Sequence, residues 1–170
     1  MTKNKENKAG LEGKRAPAFC LKNQDGEKRC LKDLLSELKD DGFLLIYFYP
    51  RDNTPDCTRE AINLSENKRK LSARGIKVVG ISKLSPESKK KFQQKHNLKI
   101  ELLADEDCKV AEKYGVYKEK TMYGKKVKGI SRESFLISKS GKILKHFSKV
   151  TPDTHAEDVL DVVKEFGEMH

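Results

Sequence analysis

Of the four cysteines in this 170-residue chain, at positions 20, 30, 57 and 108, one stands in surroundings suited to nucleophilic chemistry. Cys57 lies in Tyr47-Phe-Tyr-Pro-Arg-Asp-Asn-Thr-Pro-Asp-Cys-Thr-Arg-Glu60, where an apolar run passes into a polar turn and then into a helix. Thr54 suits the N-cap and Pro55 the first helical position, which places Asp56 at N2 and Cys57 at N3. At N3 a side-chain anion reaches the unpaired amides of the first turn, so those N–H groups and the helix dipole favour a Cys57 thiolate. Such a thiolate serves a peroxidase, an acyl-transfer enzyme or a thiol-based sensor. Acyl transfer asks for a histidine base, and no sequence feature brings His96, His146, His155 or His170 to Cys57; all four read as surface or packing residues. Peroxide reduction asks for an anionic sulfur and for donors along the breaking O–O bond, which Thr54, the first-turn amides and an arginine from elsewhere in the chain supply.

The remaining cysteines form no Cys-x-x-Cys and have no paired ligand spacing, which argues against a zinc site, a thioredoxin-type dithiol and a secreted disulfide framework. Cys20 and Cys30 fall on the two arms of a short hairpin turning at Asp25-Gly26. They are placed to face each other as a disulfide, but in a reducing compartment they read more simply as small hydrophobes.

The elements that position Cys57 follow from periodicity. Residues 1–15 are polar and read as a flexible extension, and residues 16–170 as one domain. After the hairpin, Leu31, Leu34, Leu35 and Leu38 have helical spacing, and residues 43–49 (FLLIYFY) are a buried strand. The helix opening at Pro55 carries Cys57, Ala61, Leu64 and Leu71 on one face, with Lys68 interrupting the stripe and Gly75 ending it. A strand over 76–82, a helix from Pro86 to about His96, a strand over 100–104 and a short helix over 107–114 come next. This β-α-β-α-β order implies right-handed crossovers and parallel neighbours. Residues 115–131 lack a clean period and read as an irregular or partly extended connection. Strands at 134–138 and 142–147 form an antiparallel hairpin, and a helix over 154–166 closes the chain. The sum is an α/β fold with a central mixed sheet flanked by helices, close to the thioredoxin plan.

The formal net charge of +10 comes from 36 basic and 26 acidic residues. The lysines are interleaved with acids and accompany no recognition helix or RNA-binding signature, so they read as a solvated surface rather than a nucleic-acid site. The longest apolar run is 43–49 and the N-terminus has no h-region, so a cytoplasmic protein without membrane contact is expected.

Tyr49-Pro-Arg-Asp-Asn-Thr-Pro-Asp-Cys-Thr-Arg-Glu60 resembles the active-site motif of the peroxiredoxins, in particular the bacterioferritin-comigratory protein or PrxQ branch. Pro50, Thr54 and Cys57 match the pattern Pro-x-x-x-Thr-x-x-Cys. The resemblance continues through Leu103-Ala-Asp, Val110-Ala-Glu-Lys-Tyr-Gly-Val, Met122-Tyr-Gly-Lys and Gly129-Ile-Ser-Arg-Glu-Ser-Phe-Leu-Ile, covering nearly all of 16–166. It implies a thioredoxin-like fold and a thiol-dependent peroxidase that reduces hydrogen peroxide and organic hydroperoxides through a Cys57 sulfenic acid, with no cofactor and no metal. It further implies that Arg132 contacts the peroxide and steadies the thiolate, and that Pro50 shields the pocket. Glu60 matches the end of the motif, although its spacing from Cys57 also suits a helix surface, and Arg59 pairs with surface acids.

Two positions depart from the family. Asp56 replaces the usual glycine before the cysteine; a carboxylate beside sulfur opposes a second negative charge, so Asp56→Gly is expected to favour the thiolate. Ile62 occupies the place, five residues beyond Cys57, where many PrxQ proteins carry a resolving cysteine. Cys108, then Cys20 or Cys30, are the internal alternatives, and a one-cysteine mechanism, recycled by thioredoxin or another thiol, is the reading favoured. A monomer is favoured over a dimer. A redox-sensing or chaperone-like protein is the competing reading, with a basic nucleic-acid-binding module behind it.

Overall fold

A computed structural model of the chain describes residues 11–168. The apolar run around Tyr47 forms β3 (Phe43–Phe48), and because successive side chains on a strand alternate in direction, it feeds two cores at once. Leu44, Ile46 and Phe48 face one layer, with Leu31, Leu34, Val110, Ala111 and Phe135. Leu45 and Tyr47 face the other, with Cys57, Ala61, Leu64, Leu71, Phe92, Val159 and Val163. A strand buried on both faces needs helices on both sides, and the chain supplies them. The first layer is covered by α1 (Leu31–Ser36) and α5 (Lys109–Lys113). The second is covered by α2 (Pro55–Glu66), α3 (Lys68–Ala73), α4 (Pro86–Lys95) and α6 (His155–Glu168).

The main sheet has seven strands in the order β2-β1-β5-β4-β3-β8-β9, where β1 is Cys20–Asn23, β2 Lys28–Cys30, β4 Ile76–Ser82, β5 Glu101–Ala104, β8 Glu133–Ser138 and β9 Ile143–Phe147. β3, β4 and β5 run parallel, as the β-α-β-α-β order requires, while β1 pairs antiparallel with β5, and β8 and β9 extend the sheet antiparallel beyond β3. This is the mixed α/β sheet that the sequence predicts.

The details differ in several places. The helix beginning at Pro55 breaks at Asn67, whose backbone leaves the helical region (φ −96°, ψ 10°) before α3 starts. Residues 117–130, within the stretch expected to be irregular or partly extended, form a separate two-stranded antiparallel ribbon of β6 (Tyr117–Met122) and β7 (Lys125–Ile130), turning at Tyr123 and Gly124, both with positive φ. Of the expected N-terminal extension, 1–10 lie outside the described residues, whereas residues 11–16 are tied to the second hairpin. There Gly13 donates to Ile143 O at 2.7 Å, Ile143 donates to Lys14 O at 2.8 Å and Ala16 donates to Gly141 O at 2.7 Å. Cys20 and Cys30, expected as reduced small hydrophobes, are directly opposed in the β1–β2 register and joined as a disulfide.

Candidate active site

β3 ends at Phe48, and the chain crosses to α2 through Tyr49-Pro-Arg-Asp-Asn-Thr54. Pro55 occupies the first helical turn, Thr54 is the N-cap and Cys57 falls at N3, facing the sheet with 1% of its surface exposed. The Thr54 hydroxyl does not cap the helix, contrary to the usual use of threonine there; it donates to Arg51 O at 3.1 Å. The first-turn amides therefore keep their positive end for an anion at the sulfur rather than for a side-chain cap. Pro50 is half-buried at the start of this loop.

Arg132 reaches Cys57 because of strand register. β8 pairs antiparallel with β3, with Phe48 opposite Glu133 and Tyr47 opposite Ser134, so residue 132 arrives beside the end of β3. On β8 the even-numbered Leu136 packs into the layer that holds Cys57, and two-residue alternation directs Arg132 to the same face. Its guanidinium forks, Nη2 lying 3.5 Å from Cys57 Sγ and Nη1 donating to Glu60 Oε1 at 2.8 Å. A delocalised cation, whose charge favours an anion over a neutral neighbour, thus lies 3.5 Å from the sulfur.

Glu60 is not the surface residue that its spacing permitted. It is fully buried one turn after Cys57, and its second oxygen has no hydrogen-bond partner. Burial, opposed by the charge and hydrogen bond of Arg132, pushes its carboxyl up to about 7. Tyr47 is a second residue that motif reasoning passes over. Its buried hydroxyl has no hydrogen-bond partner, and burial, then the Glu60 and Cys57 charges, hold it in the neutral phenol form. Gly80, opposite Tyr47 in the parallel register, makes the room: a Cβ there would come within 2.7 Å of the tyrosine ring.

Asp56 turns outward and pairs with Arg59 at 2.7 Å, and Arg59 also bonds Asp153 at 3.1 Å. Its exposed, partnered carboxylate weighs less on the sulfur than adjacency in sequence implies. The loop is held from behind by Asp52, only 4% exposed, which accepts from Tyr49 Oη at 2.5 Å and Ser88 Oγ at 2.8 Å and pairs with the fully buried Lys89 at 3.3 Å.

The structure brings together Cys57, Arg132 and Glu60, with Thr54 and Pro50 on the adjoining loop. It does not bring the other cysteines to them. Cys108 is the N-cap of α5 in a left-handed conformation (φ 60°) and packs in the opposite layer, across the sheet from Cys57. Burial, then the Asp105 charge, pushes its thiol up, away from nucleophilic form. Cys20 and Cys30 are bonded to each other on β1 and β2, with β5 and β4 between them and β3. Among the described residues, no cluster of three or more histidine, cysteine or acidic side chains is arranged to hold a metal ion.

Residues 13–146 match the AhpC/TSA family model. The chain is 41% identical over 150 residues to the peroxiredoxin Bcp of Escherichia coli strain K12, covering 88% of this chain and 93% of that protein. It is 36% identical over 156 residues to the peroxiredoxin Bcp of Bacillus subtilis, covering 92% and 96%. The Xanthomonas campestris bacterioferritin comigratory protein, whose structure was described for its alkyl peroxide reduction activity, superimposes with a TM-score of 0.79 at 32% identity, covering 87% of this chain and 91% of that one. A buried cysteine at a helix N-terminus with a guanidinium against its sulfur, on this sheet and in this sequence company, makes the chain a member of the peroxiredoxin family, in its Bcp/PrxQ branch, and a thiol-dependent peroxidase.

Proposed function

We propose that Cys57 is the peroxidatic cysteine, and that hydrogen peroxide and alkyl hydroperoxides are its substrates. The contact between Arg132 Nη2 and Cys57 Sγ carries this reading. The thiolate attacks the nearer peroxide oxygen and forms an S–O bond as the O–O bond breaks; the farther oxygen takes a proton and leaves as water or alcohol, and Cys57 becomes a sulfenic acid. Arg132 donates to the reacting oxygens and stabilises the charge that passes from sulfur to the leaving oxygen. Thr54, expected as a donor along the O–O bond, directs its proton to Arg51 O instead, and so presents its lone pairs to the peroxide O–H. Pro50 limits water at the loop.

Recycling follows a one-cysteine route. Ile62 is not a thiol, Cys108 lies in the opposite layer, and Cys20 and Cys30 are tied to each other, so an external thiol reductant, thioredoxin or a small thiol, condenses with the sulfenic acid and releases water. A second thiol then frees Cys57 and leaves with the oxidised reductant. The protein acts as a monomer; among the described residues the large hydrophobic side chains found exposed are Tyr123 and Val127, both on the β6–β7 ribbon, which supports this reading. Among the described residues, no helix is long and apolar enough to cross a membrane.

The test is peroxide consumption with thioredoxin or a small thiol as reductant. Cys57→Ser is expected to abolish turnover, Arg132→Met to lower the rate of Cys57 oxidation by about a hundredfold, and Cys108→Ser to leave it unchanged. A mapped Cys57–Cys108 disulfide in oxidised wild type would overturn the one-cysteine route, and turnover surviving in Cys57→Ser would overturn the assignment itself.

A further inference from the structure

Asp52 stands five residues before Cys57 but turns its carboxylate away from the sulfur, into a polar cluster sealed between the loop, β4 and α4. Lys89, on the buried face of α4, has no exposed surface. Its ammonium lies 3.3 and 3.4 Å from the two Asp52 oxygens, donates to Ser82 Oγ at 2.6 Å and sits 5.4 Å from the centre of the Tyr49 ring. Ser82 is the last residue of β4, and its hydroxyl also donates to Asp52 Oδ1 at 3.3 Å. Asn53, next in the loop and in a left-handed conformation (φ 68°), bonds His96 at the end of α4 through a 3.2 Å contact. Burial, opposed in part by the facing charges of Asp52, Glu106 and Asp105, brings Lys89 down to about 8, so the ammonium persists at neutral pH.

A lysine is taken wholly out of water only where its partners repay the desolvation, and removing one member leaves the other charge stranded. The partners here are not spread over a surface. They converge on one carboxylate in the six-residue link that runs from Tyr49 to Thr54 and carries Pro50 and Thr54.

We propose that Lys89 is a positioning residue for the peroxide reaction: its buried ammonium clamps Asp52 and so fixes the loop that sets Thr54 and the first turn of α2 against Arg132. The inference rests on the reading of Cys57 as the peroxidatic cysteine. Clamped, the loop keeps Cys57 enclosed and oriented; unclamped, it moves away from Arg132 and uncovers the sulfur. The two effects have opposite signs for two reagents. Attack on peroxide depends on orientation and slows, whereas attack on a bulky electrophile depends on access and quickens.

The experiment follows both reactions on the full chain. Lys89→Met is expected to lower the second-order rate of Cys57 oxidation by hydrogen peroxide about tenfold or more, while N-ethylmaleimide labelling of Cys57, located by peptide mass mapping, becomes several-fold faster. Asp52→Asn combined with Lys89→Gln exchanges the ion pair for a neutral hydrogen-bonded pair and is expected to return both rates to within about threefold of wild type. Rates that move together, or do not move, overturn the proposal, because a merely structural role has no reason to separate them. Should Lys89→Met not fold, amide exchange in wild type decides: amides of 51–57 are expected to open together with those of 85–92, and a loop opening independently of α4 overturns the clamp. Failure of wild type to consume peroxide would count against the functional reading alone, since labelling and exchange report on the loop without it.

Discussion

The guanidinium of Arg132 serves two groups at once, and the balance between them is set by Glu60. A carboxyl held at about 7 is part protonated at neutral pH. Protonated, it leaves the full cation to the sulfur; ionised, it offsets that cation and adds a negative charge within the same buried space. The shift is upward from 4.5, so its contribution to stability is fully present below pH 4.5 and is lost as pH rises through about 7, at a cost of about 3 kcal/mol. Glu60→Gln keeps an acceptor for Arg132 without titrating. It is expected to flatten the decline in urea-unfolding free energy between pH 5 and pH 8, and an unchanged slope would show that Glu60 is not its source. The places of Thr54 at the N-cap and Cys57 at N3 were legible in the sequence because helix-start signals are local, whereas the direction of the Thr54 hydroxyl was not. Glu60 was not, since one turn from a cysteine is a buried place only if a cation arrives from elsewhere to share it. The outward direction of Asp56 was not legible either, because its partner Arg59 is fixed in turn by Asp153, 94 residues away in sequence.

Strand β3 shows how an element converts a run of hydrophobic residues into a site. Its odd positions face the layer of Cys57, and the register with β8 then fixes where Arg132 arrives. On the other side, β4 contributes an absence of side chain: Gly80 admits the Tyr47 ring, which stacks on Tyr49 at 5.4 Å. Gly80→Ala is expected to displace Tyr47 and cost about 1–3 kcal/mol of stability, visible in denaturant unfolding together with a changed tyrosine signal in near-ultraviolet circular dichroism. An unperturbed Tyr47 signal would mean that the strand pair, not the ring, gives way. Strands β3, β4, β5, β8 and β9 could be read from sequence because each carries an apolar run, and β1 and β2 because Asp25-Gly26 marks the turn between them. The β6–β7 ribbon could not: lysines occur along both strands, and Lys118, Glu119, Lys120, Lys125, Lys126, Val127 and Lys128 all retain solvent exposure, so burial imposes no two-residue pattern. The break at Asn67 left only Lys68 in the apolar stripe as its trace.

For the molecule as a whole, buried titrating groups pull stability in opposite directions with pH. His155 is buried against Ser134, its Nε2 2.8 Å from the serine hydroxyl, and burial holds it down to about 4. The unfolded chain takes up this proton near 6.5 and the folded one does not. The stability this group supplies is therefore complete above 6.5 and declines as pH falls towards 4, by about 3 kcal/mol. Glu133 adds to the loss at lower pH: despite the opposing effect of burial, hydrogen bonds from His146 and Lys118 hold it at about 2, so its contribution fades below 4.5. With Glu60 acting in the opposite sense over nearly the same range, the two contributions largely offset each other between pH 4.5 and 6.5, and His155→Gln is expected to lessen the loss of stability on going from pH 6.5 to 4 in thermal melts. A wild-type acid limb retained in that variant would assign the loss elsewhere. The order of elements and the parallel core were legible because they follow from connection lengths and apolar periods. The assignment of Cys57 and Cys108 to opposite faces was not, because it depends on crossovers that no local spacing records.

The exposed ribbon has a practical consequence for this sheet order. Lys125 and Lys126 follow its turn, and Tyr123 at the tip is 98% exposed, so a protease specific for lysine finds a natural cleavage point there. A cut at that point leaves Cys57 on one fragment and Arg132 on the other, while β8 remains hydrogen-bonded along β3. The nicked protein is thus expected to hold together as two pieces that meet through β-strand pairing. Reassembly from separately produced fragments would report, through recovered peroxide turnover, on the single register that brings the guanidinium to the thiol.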